Sequence, residues 1–501
     1  MKDSEILMCP NELVAYLKKP ACEFTKNDII HYCEDNGIEM INFRYLAEDG
    51  KLKTLNFVIN SKEHLDIILS AGERVDGSSL FSFIESSSSD LYVIPRYRTA
   101  FVNPFSEVPT LDILCSFYNF EGKPLESSPE NVLRKAHDLF KLETGNTFNA
   151  LGELEYYVIS DREKVYPGID QKGYHQSEPF AKYEDLRKEA LTLIARAGGR
   201  IKYGHSEVGC FMTEDKLYEQ HEIEFLPTPA EDAVDQLVIA KWILRMLGYR
   251  YGVTISFAPK ITVGKAGSGM HIHMMVDKDG DNLMIDHGKL SSLAHKMIAG
   301  ILNVADALTA FGNSIPTSYL RLVPHQEAPT SICWGDRNRS VVIRVPLGWS
   351  GTRHMIRDAN PHDEYCLPEG ISKQTIEFRV PDGSADPYLL VAGLIVASLD
   401  GIRRPDALEM AKNLYVDVNI FNPEFKDKLS TLKQLPASCW ESAEALHAKR
   451  SVFEANGVYP KGMIDALIKK LKSFNDKGLS EKLYGKNDEI AKIVDQYIHI
   501  A

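Results

Sequence analysis

The 501-residue chain predicts an α+β fold in two domains, one much larger than the other. Three observations point there. The length exceeds what one hydrophobic core normally covers. Short extended runs dominate the first hundred or so residues, and long amphipathic helices alternate with extended runs later. Several apolar runs also carry polar residues two apart, the spacing that sets side chains on one face of a strand.

Near the start, Thr25 to Asp28 has the form of a capping box and opens a short helix that Gly37 can end. Met40 to Tyr45 and Leu52 to Ile59 read as strands joined through Glu48-Asp49-Gly50, a hairpin signal. Further strands are expected at Asp90 to Ile94 and Thr110 to Phe117, closing a small unit over residues 1–120. Residues 121–501 form the larger domain, with long helices expected over Glu231 to Leu247 and Lys289 to Ala310. The last hundred residues read as helical. Ser438 to Glu441 is a second capping box, and Met463, Ile464, Leu467, Ile468 and Leu471 make one apolar stripe. Ile490, Ile493, Val494, Tyr497 and Ile498 make another, which must bury itself on its own subunit or on a second one.

Composition excludes several classes of function. The net charge of −13, with no basic tract, argues against nucleic acid or an anionic membrane as partner. The N-terminal MKDSEILMCPNEL lacks the form of a signal peptide, and the longest apolar stretch, near Tyr388 to Leu399, is too short to span a bilayer. A cytoplasmic protein is expected. Eight cysteines without zinc-ligand spacing read as reduced core residues. Against the acidic background, Arg321 to Arg379 concentrates seven arginines, whose guanidinium forks suit carboxylates and phosphates.

The polar pairs are Glu153 with Glu155, Glu222 with Glu224, His271 with His273, and Glu377 with Arg379. One such pair usually marks the wet face of a sheet; several together suggest a shared polar interior. Carboxylates joined by one histidine form a hard ligand set suited to Mg²⁺ or Mn²⁺. The glycines of Gly267-Ser268-Gly269 would let backbone approach a ligand closely.

In order, DGSS, GELE, HSEVG, HEIEF, GSGMHIH, NSIPTSYLRLVP, EAP, NRS and EFRVPDGSADPYL resemble the type I glutamine synthetase family from about residue 20 to 475. The resemblance implies an N-terminal β-grasp domain and a catalytic domain whose curved antiparallel sheet is backed by helices. It implies ATP-dependent ligation of ammonia to glutamate through a γ-glutamyl phosphate. Carried over by position, Glu155, Glu207 and Glu222 hold one metal, and Glu153, His271 and Glu377 the other. His273, Arg339 and Arg344 serve ATP, with Arg339 also catalytic, while Gly267, Arg321 and Arg379 serve glutamate. Asp76, Glu207 and Tyr174 bind ammonium, with Asp76 taking its proton, and Glu327 is the flap glutamate that excludes water. Asp76 is further expected to reach a neighbouring subunit's site in a homo-oligomer, a dodecamer of two stacked rings.

Several positions depart from that pattern. Ala266, Thr375, Met275 and Asp386 stand where asparagine, arginine, serine and asparagine are usual. The stretch between Glu207 and Glu222 is longer, which makes Glu224 a rival ligand. Asn413-Leu414-Tyr415 resembles an adenylylation loop, but the following VDVNIFNPE does not. A γ-glutamyl-amine ligase and a catalytically silent scaffold are the competing readings of the same fold.

Overall fold

The computed structural model describes residues 6, 8–84, 89–323, 328–348, 355, 358–362, 373–418, 431–483 and 485–500. Two sheets organise it, as the α+β expectation requires. The smaller has six strands, β1 (Met40–Leu46), β2 (Leu52–Val58), β3 (Glu73–Asp76), β4 (Asp90–Pro95), β5 (Phe101–Val102) and β6 (Thr110–Tyr118). Its order is β2-β1-β6-β4-β3, with β5 on β6. The β1–β2 hairpin forms with Gly50 at φ 73°, and the Thr25–Asp28 capping box is closed in both directions. Helices Lys26–Asp35 and Lys62–Ala71 contribute Ile29, Leu65 and Leu69 to a separate core with Phe43, Phe81 and Phe117.

The larger sheet contains β7 (Thr147–Asp161), β8 (Ile201–Met212), β9 (Lys216–Phe225), β10 (Thr228–Pro229), β11 (Thr254–Ser256), β12 (Met270–Lys278) and β13 (Asp281–Asn282). A two-stranded pair, β14 (Ile285–Asp286) and β15 (Lys289–Leu290), stands apart. The large sheet resumes with β16 (Trp334–Asp336), β17 (Ile343–Val345) and β18 (Ile376–Phe378), in the order β16-β17-β18-β12-β7-β9-β8. All its pairings are antiparallel except β16 with β17. Helices cover its apolar face, so Leu154, Ile223 and Met270 share one core with Val234, Leu237 and Leu390. Helices Ser292–Asn303 and Pro387–Arg403 touch backbone to backbone at Gly300 and Gly401, where a Cβ on either residue would lie 2.0 Å from a carbonyl oxygen of the other helix.

Three sequence expectations need correction. Lys289 to Ala310 is not one helix: β15 occupies its start, Ser291 caps Ser292–Asn303, and a second helix runs Ala305–Gly312. The break at Val304 lies beside a charge cluster in which Lys449 donates to the Asn303 carbonyl and, with Lys433, pairs with Asp306. At Ser438 only half the capping box forms, because the Glu441 carboxylate accepts from Ala437 N instead of the cap's own N–H. Cys9 is half-buried and Cys22 exposed, so these two are not core residues. At Gly269 the backbone is closely approached by Arg321, where a Cβ would lie 2.6 Å from the guanidinium.

A bidentate ion pair ties the small domain to the large one, with Arg96 donating to both Asp235 oxygens at 2.7 and 2.9 Å while Tyr388 donates to the same carboxylate. The terminal helix Asn487–Tyr497 packs Ile490 and Val494 on Leu320 and Leu483 of its own chain. No helix among the described residues is long and apolar enough to cross a membrane.

Asp386 caps Pro387–Arg403 by accepting from Leu389 N at 3.0 Å. Burial pushes its pKa up from 3.8 to about 6. An acid whose pKa rises on folding destabilises the native state as pH climbs through that window, and the cost is complete above the folded pKa. Asn keeps the capping acceptor without the charge. Asp386→Asn should therefore raise the thermal midpoint at pH 8 and leave it nearly unchanged at pH 4; thermal melts at both values check this, on a scale of up to ~3 kcal/mol.

Candidate active site

Antiparallel register writes the site across the polar face of the large sheet. Glu153 on β7 stands opposite His271 on β12 and Glu224 on β9. One step along, Glu155 faces Glu222, which in turn faces His205 on β8. On the other side His273 pairs with Glu377, and Glu377 with Arg344. Because strand side chains alternate with period two, these residues share a face that none of the intervening apolar residues enters.

The carboxylates have unequal surroundings. Burial pushes Glu153 upward, but His273 and His271, each 2.8 Å from one of its oxygens, overcome this and hold its pKa well below the usual range. Burial likewise opposes ionisation of Glu377, and Arg379 wins, aided by Arg344 at 2.9 Å. Glu155 has no such cation in contact. Burial and the neighbouring Glu207 raise it to about 8, although Gly269 N at 2.7 Å and Gln220 at 3.1 Å donate to it. Glu222 is raised well above its usual value by burial and by Glu153, Glu155 and Glu207. His271 is pushed down to about 4 by burial and Arg379.

Three groups bring ligand atoms within 4.8 Å of one another: Glu153 with His271 and Glu377, Glu153 with Glu224 and His273, and His205 with Glu207 and Glu222. The first is the expected trio. Of the other expected trio, Glu207 and Glu222 group with His205, while Glu155 accepts from Gly269 N and Gln220 through Oε2 and has Oε1 3.9 Å from His271. Glu222 and Glu224 prove not to be simple rivals, since each joins a different group; Glu224 also accepts from Lys202 at 2.5 Å. The donor set fits Mg²⁺ or Mn²⁺: mostly hard oxygens, with mutually repelling buried carboxylates that a divalent cation would neutralise.

Arginines crowd one side. Arg321 is buried and donates to Val380 O at 2.8 Å, with its other terminal nitrogen 3.5 Å from His271. The Nε atoms of Arg344 and Arg379 are buried without a hydrogen-bond partner among the described residues. Such donors suit an anionic substrate. Arg339 is exposed in the turn between β16 and β17. Gly267 accepts from Gln220 at 3.0 Å, and a Cβ there would meet Arg321. Tyr174 is exposed and stacks on His175 at 4.2 Å, with His205 at 5.5 Å.

Asp76 stands apart, and no group of the cluster is among its hydrogen-bond partners. It caps a turn, accepting from Ser78 N at 3.0 Å and from the hydroxyls of Ser78 and Ser79 at 2.7 Å. Bonds from Ser79, Ser78 and Ser89 hold it well below the carboxylate range. Glu327 lies outside the described residues, as do Arg353 and Arg357. Thr375 donates to or accepts from His273 Nδ1 at 2.8 Å, Ala266 O accepts from Tyr157, and Tyr415 donates to Asp336 at 3.3 Å.

Sequence reading missed His205 and Gln220. Both sit two residues from a glutamate already chosen, Glu207 and Glu222, so strand alternation was the available signal.

Comparison with known proteins agrees with this geometry. A model of the glutamine synthetase catalytic domain matches residues 126–470, and one of the glutamine synthetase β-grasp domain matches 37–120. A glutamine synthetase of Clostridium saccharobutylicum is 30% identical over 445 residues, covering 87% of this chain and 92% of that protein. One of Frankia alni is 29% identical over 484 residues, covering 89% and 94%. Among solved structures, Plasmodium falciparum glutamine synthetase superposes with a TM-score of 0.72 at 20% identity, covering 93% of this chain and 97% of that one. A GmaS structure with ADP gives 0.71 at 20%, covering 90% and 96%. At such identity the structures speak for the fold alone. The family match extends over most of the chain and both domains, and with it an ATP- and metal-dependent ligase of nitrogen metabolism: the protein belongs to the glutamine synthetase family.

Proposed function

We propose that the chain joins ammonia to the γ-carboxylate of glutamate, consuming ATP through a γ-glutamyl phosphate. The observation that most supports this reading is the shared face on which Glu153, His271 and Glu377 converge, bordered by Arg321, Arg344 and Arg379. A carboxylate is a poor electrophile until phosphorylated, and two anions must be brought together for that step. Arg321 and Arg379 are assigned to glutamate's carboxylates, with Gly267 allowing close approach. Arg339, Arg344 and His273 are assigned to the phosphates, Arg339 countering charge on the transferring group. Glu153, His271 and Glu377 on one side, and Glu155, Glu207 and Glu222 on the other, would hold Mg²⁺ or Mn²⁺, with His205 added to the second set. Bound there, such cations neutralise phosphate charge and orient the phosphoryl group.

Ammonium must lose a proton before it attacks. Glu207 and Tyr174 are assigned to its site together with Asp76. The serine bonds on Asp76 keep it ionised, which suits it as a counter-ion; it accepts a proton only once those bonds open. Glu327 is assigned to cover the intermediate. The small domain, placed at residues 1–120, would then deliver Asp76 to a neighbouring subunit of a ring-forming homo-oligomer.

Three measurements test this. Adding Mn²⁺ or Mg²⁺ should raise the thermal midpoint of the full-length chain, about 2.7 kcal/mol of stabilisation at a hundredfold excess over Kd. Glu153→Gln should reduce that gain, and an unshifted melt in the wild type refutes the cation assignment. In a phosphate-release assay with ATP and glutamate, ammonium should be preferred over methylamine and larger amines by about 10²-fold in kcat/KM. Preference for an amine reassigns the acceptor while leaving the ligase chemistry standing. Finally, Asp76→Ala and Glu377→Gln chains, each inactive alone, should regain activity when co-assembled. Silence in verified mixed oligomers places each site within one chain.

A further inference from the structure

A cavity of about 170 Å³ lies at the seam between the domains, away from the carboxylate cluster. Its walls come from three places: the β1–β2 hairpin with Leu46 and Lys51, the helix Ala230–Tyr251 with Lys241, Trp242 and Arg245, and the segment at Pro387. Three of its lining side chains are cationic, and none is acidic.

Lys241 is 5% exposed and donates only to the Gly383 carbonyl, at 2.7 Å. Arg245, one turn further along, donates to the Ile500 carbonyl at 2.5 Å. Both flank the ring of Phe257, at 5.3 and 4.8 Å from its centroid. Neither forms an ion pair with a carboxylate among the described residues. The acids that influence them at longer range are otherwise engaged. Asp49 binds Lys53 at 2.6 Å, Asp386 caps its helix, and Asp382 accepts from Asn313 at 2.8 Å and from Ser384.

Two neighbouring cations with only carbonyl partners are costly to bury, and a leucine or methionine would fill the same helix positions at no electrostatic cost. Burial, with the neighbouring Arg245, pushes Lys241 down to about 7. An anion in the cavity reverses that penalty by giving both groups a charged partner, which neither has among the described residues. We propose that this seam is a binding site for a compact anion of carboxylate or phosphate type, no larger than succinate, held by Lys241, Arg245 and Lys51. The location makes it an effector site. The hairpin on one wall grips the segment after Asp76, through Glu48 accepting from Ser82 N at 2.7 Å and donating its own N–H to Leu80 O at 3.1 Å. The other wall continues from the strand that bears Glu377 and from Arg379 just after it.

Calorimetric titration of the full-length, assembled protein with succinate and, separately, inorganic phosphate tests the site and distinguishes the two chemistries. At least one probe should bind saturably. Lys241→Gln should weaken it about tenfold or more, and Lys51→Ser, at the cavity rim, by about threefold. Arg379→Gln, which alters the cluster side, should change that affinity by less than about twofold. Lys51→Ser decides the matter should Lys241→Gln fail to fold. Absence of saturable binding by both probes overturns the proposal. So does binding that survives both seam substitutions, or binding that disappears in Arg379→Gln.

Discussion

Six buried or half-buried glutamates, Glu153, Glu155, Glu207, Glu222, Glu224 and Glu377, share one face of one sheet, and their mutual repulsion is the constraint around which the large domain is arranged. Like charges in a medium of low dielectric cannot all ionise unless cations stand between them. The fold supplies cations unevenly. Glu377 has Arg344 and Arg379, Glu153 has two imidazoles, and Glu224 has Lys202. Glu155 and Glu222 are left with raised pKa values. The charge that the protein leaves uncompensated is therefore localised where β7 faces β9, and that is where a divalent cation gains most.

Holding such a face together demands a rigid support. A one-residue slip of β12 against β7 would turn His271 and His273 into the apolar core and expose Ile272 and Met274 to the carboxylates. The register is fixed because Leu154, Ile223, Met270 and Ile272 are buried against the helical layer, each fully or nearly inaccessible. The apolar core on one side and the charge cluster on the other thus specify the same alignment. Deleting a core methyl group would loosen the geometry of the site without touching a ligand. The Arg96–Asp235 pair extends this rigidity to the small domain, since a bidentate geometry fixes orientation as well as distance.

The parts of this arrangement that could be read from the sequence are those with a local period. Glu153 with Glu155, His271 with His273, and the hairpin at Gly50 all announce themselves within a few residues. Features set by contacts distant in sequence were not legible. The helix break at Val304 lies beside a lysine almost 150 positions away, and Glu441 turned from its cap to Ala437 through a choice of partners that spacing does not encode. His205 was within reach of the alternation rule. Yet nothing short of the β8–β9 register shows that it comes together with Glu207 and Glu222. Gly269 was rightly marked as a place of close approach, but the approaching atom belongs to Arg321, a residue 52 positions on by number and adjacent only in the fold.

Thr375 shows how a single hydroxyl bears on the charge balance of the cluster. An arginine there would place a third guanidinium beside Glu377 and His273. Threonine places a hydroxyl on His273 Nδ1 instead, while Nε2 faces Glu153 at 2.8 Å. The hydroxyl oxygen can accept, and the carboxylate must, so both ring nitrogens are positioned to donate. Burial disfavours the resulting imidazolium, but Glu153 outweighs it and the histidine's pKa is raised. His271, two residues earlier and beside Arg379, is pushed the opposite way, down to about 4. The two histidines of one strand face are thereby shifted in opposite directions, His273 upward by Glu153 and His271 downward by burial and Arg379.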